Sequence, residues 1–118
     1  MRSDKSNIVV EKSFRVALKG IEFCNELRKS DHRVSDQLFR SITSIGANIH
    51  EAQNAESLKD FIHKLKISSK ELDESMYWMR LCEESEFLIH NQVLDDLLKE
   101  LVLILSKIIS TSKKRLNK

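Results

Sequence analysis

Proline is absent from this 118-residue sequence, glycine occurs only twice, and there are two cysteines, one tryptophan and one tyrosine. Each scarcity removes a class of structure. A sheet protein threads its strands through turns that draw on Gly and Pro, so a chain with almost none of either favours helices. The cysteines, Cys24 and Cys82, fall in apolar stripes and read as small buried thiols, an expectation that fits a cytoplasmic chain. The longest apolar run, Leu101 to Leu105, is bounded by Glu100 and soon by Lys107, far short of a membrane span. The first residues, Met-Arg-Ser-Asp-Lys-Ser-Asn, hold no apolar segment of signal-peptide length and have Arg rather than Gly at position 2, so neither secretion nor myristoylation is expected. Neither sign of charge dominates: 20 basic and 18 acidic residues leave a formal net charge of +2. Any case for nucleic-acid binding therefore rests on distribution.

What is present is 41% apolar and 32% charged, the balance of long helices with solvated faces, in a chain sized for one domain and one core. Periodicity predicts four helices, over roughly 7–29, 35–55, 57–83 and 91–114. In the first, Val10, Phe14, Ala17, Ile21 and Cys24 form a continuous stripe. The second takes Ser35 as N-cap and buries Leu38, Ile42, Ile45, Ile49 and Ala52. Ser57 caps the third, with Asp60 as a variant capping box, and its stripe is Leu58, Ile62, Leu65, Ser69, Leu72, Met76 and Met79. Asn91 caps the fourth, which buries Leu94, Leu97, Leu101, Ile104, Leu105 and Ile108. Short connections force each helix antiparallel to the one before it, giving an all-α, up-down-up-down four-helix bundle over residues 1–118.

Two helices carry apolar residues away from these stripes. Val9, Val16 and Phe23 recur every seven residues on the first, and Ile67, Trp78 and Leu81 lie opposite Leu65 and Leu72 on the third. Burying a Trp or Phe is worth roughly 1.5–3 kcal/mol, and aromatic residues dominate protein contacts. These six positions form the expected interface of a homo-oligomer.

Between Arg40 and Arg80 the sequence also resembles a known family. Ser44, Ile45, Asn48, Ile49 and Glu51, followed by Phe61, Leu65, Ile67, Glu71 and Leu72, are similar to the signature of the bacterial four-helix-bundle proteins named after 23S rRNA intervening sequences, and the likeness covers nearly the whole chain. Gly46 stands where the common form has Pro, and Ala52 where it has Gly. The resemblance implies the same bundle, no catalytic activity, and a ring of five subunits. Through genes in rRNA inserts, and through related bundles that serve reverse transcriptases as accessory subunits, it points to RNA or a nucleic-acid enzyme as partner.

The residues themselves agree on the absence of an enzyme. A di-iron bundle needs two Glu-x-x-His pairs, whereas this chain offers Asp60-x-x-His63. Cys24, Cys82, His32, His50, His63 and His90 show no zinc-ligand spacing, so no metal and no cofactor is expected. Gly-rich phosphate loops and nucleophile elbows are missing. Gly46 and Gly20, each costing about 1 kcal/mol relative to Ala inside a helix, point to close approaches. The motif residues Ser44, Asn48, Glu51 and Glu71 read as structural: Asn48 as a register lock partnered by Ser68, Ser69 or a backbone carbonyl, the two glutamates as partners for basic residues of a neighbouring subunit.

One polar pattern stands out. Lys59, His63, Lys66 and Lys70 follow spacings of four, three and four on the third helix, with Tyr77 a heptad further on. Together with Lys113, Lys114 and Arg115 they form a candidate nucleic-acid site, the lysines for phosphates and Tyr77 for base stacking. The bland alternative is a solvated face tied up in Asp60–Lys64 and Lys70–Glu74 pairs. The functional expectation is a homo-oligomeric, non-enzymatic bundle that binds RNA or a ribonucleoprotein; its rival is a scaffold holding a partner enzyme through an outer apolar face.

Overall fold

The structure, a computed structural model, describes residues 4–118; Met1–Ser3, part of the N-terminal segment considered above, lie outside the described residues. Four helices account for it: α1 (Asp4–Leu27), α2 (His32–Ala52), α3 (Leu58–Glu84) and α4 (Gln92–Leu116). They pack into a rod of 50 × 21 × 21 Å. Each helix lies against its neighbours in the chain, and α1 closes the square against α4. Contacts run antiparallel throughout: Ser13 of α1 meets Gly46 of α2, Ser75 of α3 donates to Ser41 of α2, and Lys66 of α3 shares a groove with Lys113 of α4.

Helix starts follow from capping. Ser57 Oγ accepts the Asp60 N–H at 3.0 Å and Asn91 Oδ1 accepts the Leu94 N–H at 2.9 Å, as the sequence predicts. At α2 the cap is Asp31 rather than Ser35: its carboxylate accepts the N–H groups of Arg33 and Val34. Ser35 is buried instead, and its hydroxyl donates to the Cys24 carbonyl at 2.8 Å, tying α2 to the end of α1.

The core stripe of α2 is the one expected, with Leu38, Ile42, Ile45, Ile49 and Ala52 all fully buried. That of α1 is turned by one residue. Val9, Val16, Phe23 and Leu27 face the core together with Ser13 and Gly20, whereas Phe14 is 60% exposed. The expected interface residues Val9, Val16 and Phe23 are therefore core residues of the single chain. Small size explains the rotation. Positions 9, 13, 16, 20, 23 and 27 keep strict spacings of four and three, but Ser13 and Gly20 lend no apolar weight to that row; they let α2 come close instead. A Cβ on Gly20 would sit 2.8 Å from Ile42, and one on Gly46 would sit 3.3 Å from the Ser13 carbonyl oxygen.

In α3 the same effect recurs. Phe61, Leu65, Ser68, Leu72, Ser75, Met79 and Cys82 form the buried row with Ile62, and Ser68 and Ser75 replace the expected Ser69 and Met76. Their hydroxyls lock the α2–α3 register: Ser68 donates to the Ile45 carbonyl and Ser75 to Ser41 Oγ, both at 2.8 Å. In α4, Leu98 joins Leu94, Leu101 and Leu105 at the centre, while Leu97, Ile104 and Ile108 pack at its margin. Burial raises the pKa of both thiols, Cys24 and Cys82, to about 11, so they sit in the core as neutral side chains.

Candidate nucleic-acid interface

Close packing of α2 on α1 and α3 leaves α4 less tightly held, and a groove of about 790 Å³ opens between the first half of α3 and the last turns of α4. Four lysines line it, Lys66 and Lys70 from α3 and Lys113 and Lys114 from α4. Ser69, Ser106, Ser110 and Asn117 add hydroxyl and amide groups, and Ile109 forms an apolar patch in the wall. Immediately beside it, Lys59 and His63 face Lys113 and Asn117 in an adjoining hollow that shares Lys66. The two basic segments, some fifty residues apart in the sequence, thus meet at one end of the rod.

Among the described residues no carboxylate lines either hollow. Among the described residues none of Lys59, Lys66, Lys70, Lys113 and Lys114 takes part in an ion pair. The pairs that would have neutralised the stripe do not form, because their acids are engaged elsewhere. Glu74 is held by Arg40 of α2 and accepts the Trp78 indole N–H at 3.0 Å; these contacts, the indole first, hold its carboxyl below the usual range. Asp60 accepts the Glu56 N–H at the start of α3. Unpaired ammonium groups arranged around a concave polar surface offer an anion several donors at once.

Two predicted members stand apart. Tyr77 is 56% exposed and lies edge-on to Trp78, with ring centroids 5.1 Å apart, but does not line the groove. Arg115 is exposed at the end of α4 without lining it. The sequence alone does not single out the serines and Asn117, although Ser106, Ser110, Lys113 and Asn117 keep spacings of four, three and four, a polar stripe along the second half of α4.

The remaining predicted positions have local roles. Ser44 donates to the Arg40 carbonyl at 2.6 Å, and the half-buried Asn48 donates to the Ser44 carbonyl at 2.8 Å, so Asn48 bonds within its own helix and the register lock falls to Ser68 and Ser75. Glu71 pairs with Arg40 of the same chain at 3.3 Å rather than awaiting a neighbour, and Glu51 is exposed. Ile67 and Leu81 are each 36% exposed, but Trp78 is packed against the core with its N–H satisfied. The Arg40–Glu71–Glu74 cluster separates Ile67 from Trp78, so this row is not a continuous apolar face.

The pattern of the 23S rRNA-intervening sequence proteins matches residues 5–110. The chain belongs to this family. Its fold is similar to that of a solved member of the S23 ribosomal protein family from Bacteroides thetaiotaomicron, a protein described as of unknown function. The TM-score is 0.84 at 36% identity, over 90% of this chain and 98% of that one. No curated protein matches the chain. Among the described residues no helix is long and apolar enough to cross a membrane.

Proposed function

We propose that this 23S rRNA-intervening sequence protein is a non-enzymatic, self-associating bundle that binds RNA, alone or within a ribonucleoprotein, through the α3–α4 groove. One observation carries the reading: four lysines from two helices converge on a concave surface that, among the described residues, no carboxylate lines. Lys59, Lys66, Lys70, Lys113 and Lys114 neutralise phosphates, the groove serines and Asn117 donate to phosphate or sugar oxygens, and nothing in the site reads base edges. Binding is therefore weakly sequence-selective. The names of the family and of its solved member, which refer to ribosomal RNA and to ribosomal proteins, support the same direction.

Neutralising about five phosphates on a single strand gives a slope near −3.5 for log affinity against log salt, or a loss of roughly 130-fold between 50 and 200 mM. Fluorescence anisotropy with a labelled single-stranded RNA reads this directly. The double variant Lys66→Glu/Lys113→Glu abolishes binding with the helical spectrum unchanged, since both side chains are exposed. An affinity flat over that salt range, or unaffected by the double variant, overturns the reading and favours the rival scaffold for a protein partner.

Self-association belongs to the same reading with a different face. Phe14 of α1, 60% exposed, lines a shallow apolar groove against Thr43 and Ala47 of α2; Leu18, one turn further along α1, and Phe39, one turn before Thr43, are 49% and 46% exposed. That patch takes the place of the row Val9, Val16 and Phe23. Five subunits is the number expected from the family likeness, and light scattering measures it.

A further inference from the structure

We propose that Glu83, His90 and Asp95 form a binding site for a divalent transition-metal ion of the zinc class, at the end of the rod opposite the basic groove. Glu83 stands in the last turn of α3, His90 in the connection and Asp95 in the first turn of α4. One ligand atom from each lies within 4.8 Å of the other two, and His90 Nε2 is 3.7 Å from Glu83 Oε2. No periodicity brings these three together; the fold of the connection does.

A second observation points to a ligand independently. His90 Nε2 is shut off from water and has no hydrogen-bond partner. A buried imidazole nitrogen left unsatisfied is costly, and its lone pair is the commonest metal donor in proteins. Asp95 beside it is only 7% exposed, a carboxylate almost wholly removed from water whose one ion pair is with Lys99 at 3.3 Å. Two carboxylates against a single ammonium leave the cluster short of positive charge.

The donor set chooses the ion. One imidazole nitrogen with two carboxylate oxygens suits zinc or cobalt, with three protein ligands and a water completing a tetrahedron. Calcium needs six or more oxygens and magnesium an octahedron of them, which three side chains including a histidine do not supply. Around a tetrahedral zinc the ligand atoms stand roughly 3.3 Å apart, so the cluster contracts slightly on binding. Glu83, whose side chain is 55% exposed, is free to make that movement. The bound ion ties α3, the connection and α4 across a segment that has neither glycine nor proline.

Cobalt(II), as a spectroscopic stand-in, tests the site in the full chain. The wild type takes up one cobalt per chain with a visible d–d band of four-coordinate intensity, and one equivalent of zinc displaces it. His90→Ala and Asp95→Asn each weaken binding by about tenfold or more and lose the band, whereas His63→Ala leaves both unchanged. Lys99→Met strengthens binding, because it removes the cation competing for Asp95. This last variant keeps every proposed ligand, so its outcome does not depend on whether the ligand variants fold. A wild type with no such band, or His90→Ala and Lys99→Met titrating as the wild type does, overturns the proposal.

Discussion

Gly20 and the buried serines set the spacing of the helices. Gly20→Ala improves helix propensity by about 1 kcal/mol, but its new Cβ lies 2.8 Å from two carbons of Ile42, a side chain with no exposed surface and no room to retreat. Overpacking of this kind costs typically about 1–3 kcal/mol, so the variant is destabilised on balance. Urea denaturation shows it as a lower midpoint at constant slope. Gly46→Ala, facing the Ser13 oxygen at 3.3 Å, loses less. These same residues explain what the sequence concealed. A periodicity reading weighs apolar side chains, and on α1 it preferred Phe14 and Ile21 to a row interrupted by Ser13 and Gly20. Size, not hydrophobicity, was the signal. On α2 the expected stripe is apolar at every position, and there reading and structure coincide.

The elements begin where their caps place them, and one cap adds acid sensitivity. The Arg33 side chain, followed by the Val34 and Arg33 N–H groups, holds the Asp31 carboxyl at about 2, below its ordinary 3.8. Between those values the unfolded chain binds the proton more readily than the native one. The cap's contribution is therefore complete above about pH 4 and is lost as the pH falls through about 2. Asp31→Ala lowers the melting temperature at neutral pH and narrows its gap to the wild type across that window, which a thermal-melt series against pH records. Asp31 was hidden in the sequence because Ser35 also has N-cap chemistry, and only the fold shows its hydroxyl bonded to Cys24. Ser57 and Asn91, each immediately before the apolar stripe of its helix, were legible. The basic stripe of α3 was legible too. Its convergence with the end of α4 depends on helix pairing, which fixes neither register nor groove width from sequence alone.

At the scale of the molecule, the two rows on α1 make opposite predictions. Phe14→Glu places a charge on an exposed position and yields a folded, helical particle of lower mass by light scattering. Val16→Glu places one in the core, where the native side chain is 1% exposed, and unfolds the chain. An unchanged mass for Phe14→Glu removes the α1–α2 patch as the site of self-association.

Because the helices form a square, the side made by α1 and α2 is the one opposite α3 and α4. Subunits joined through the first pair, as proposed, would turn their basic grooves away from the shared contact, with protein between one groove and the next. An oligonucleotide too short to bridge that gap engages each subunit separately. Beyond a threshold length the second contact becomes intramolecular, and affinity rises in a step without any new chemistry. On the proposed function, such an assembly would discriminate strands by length rather than by sequence, holding long ones more tightly than short ones.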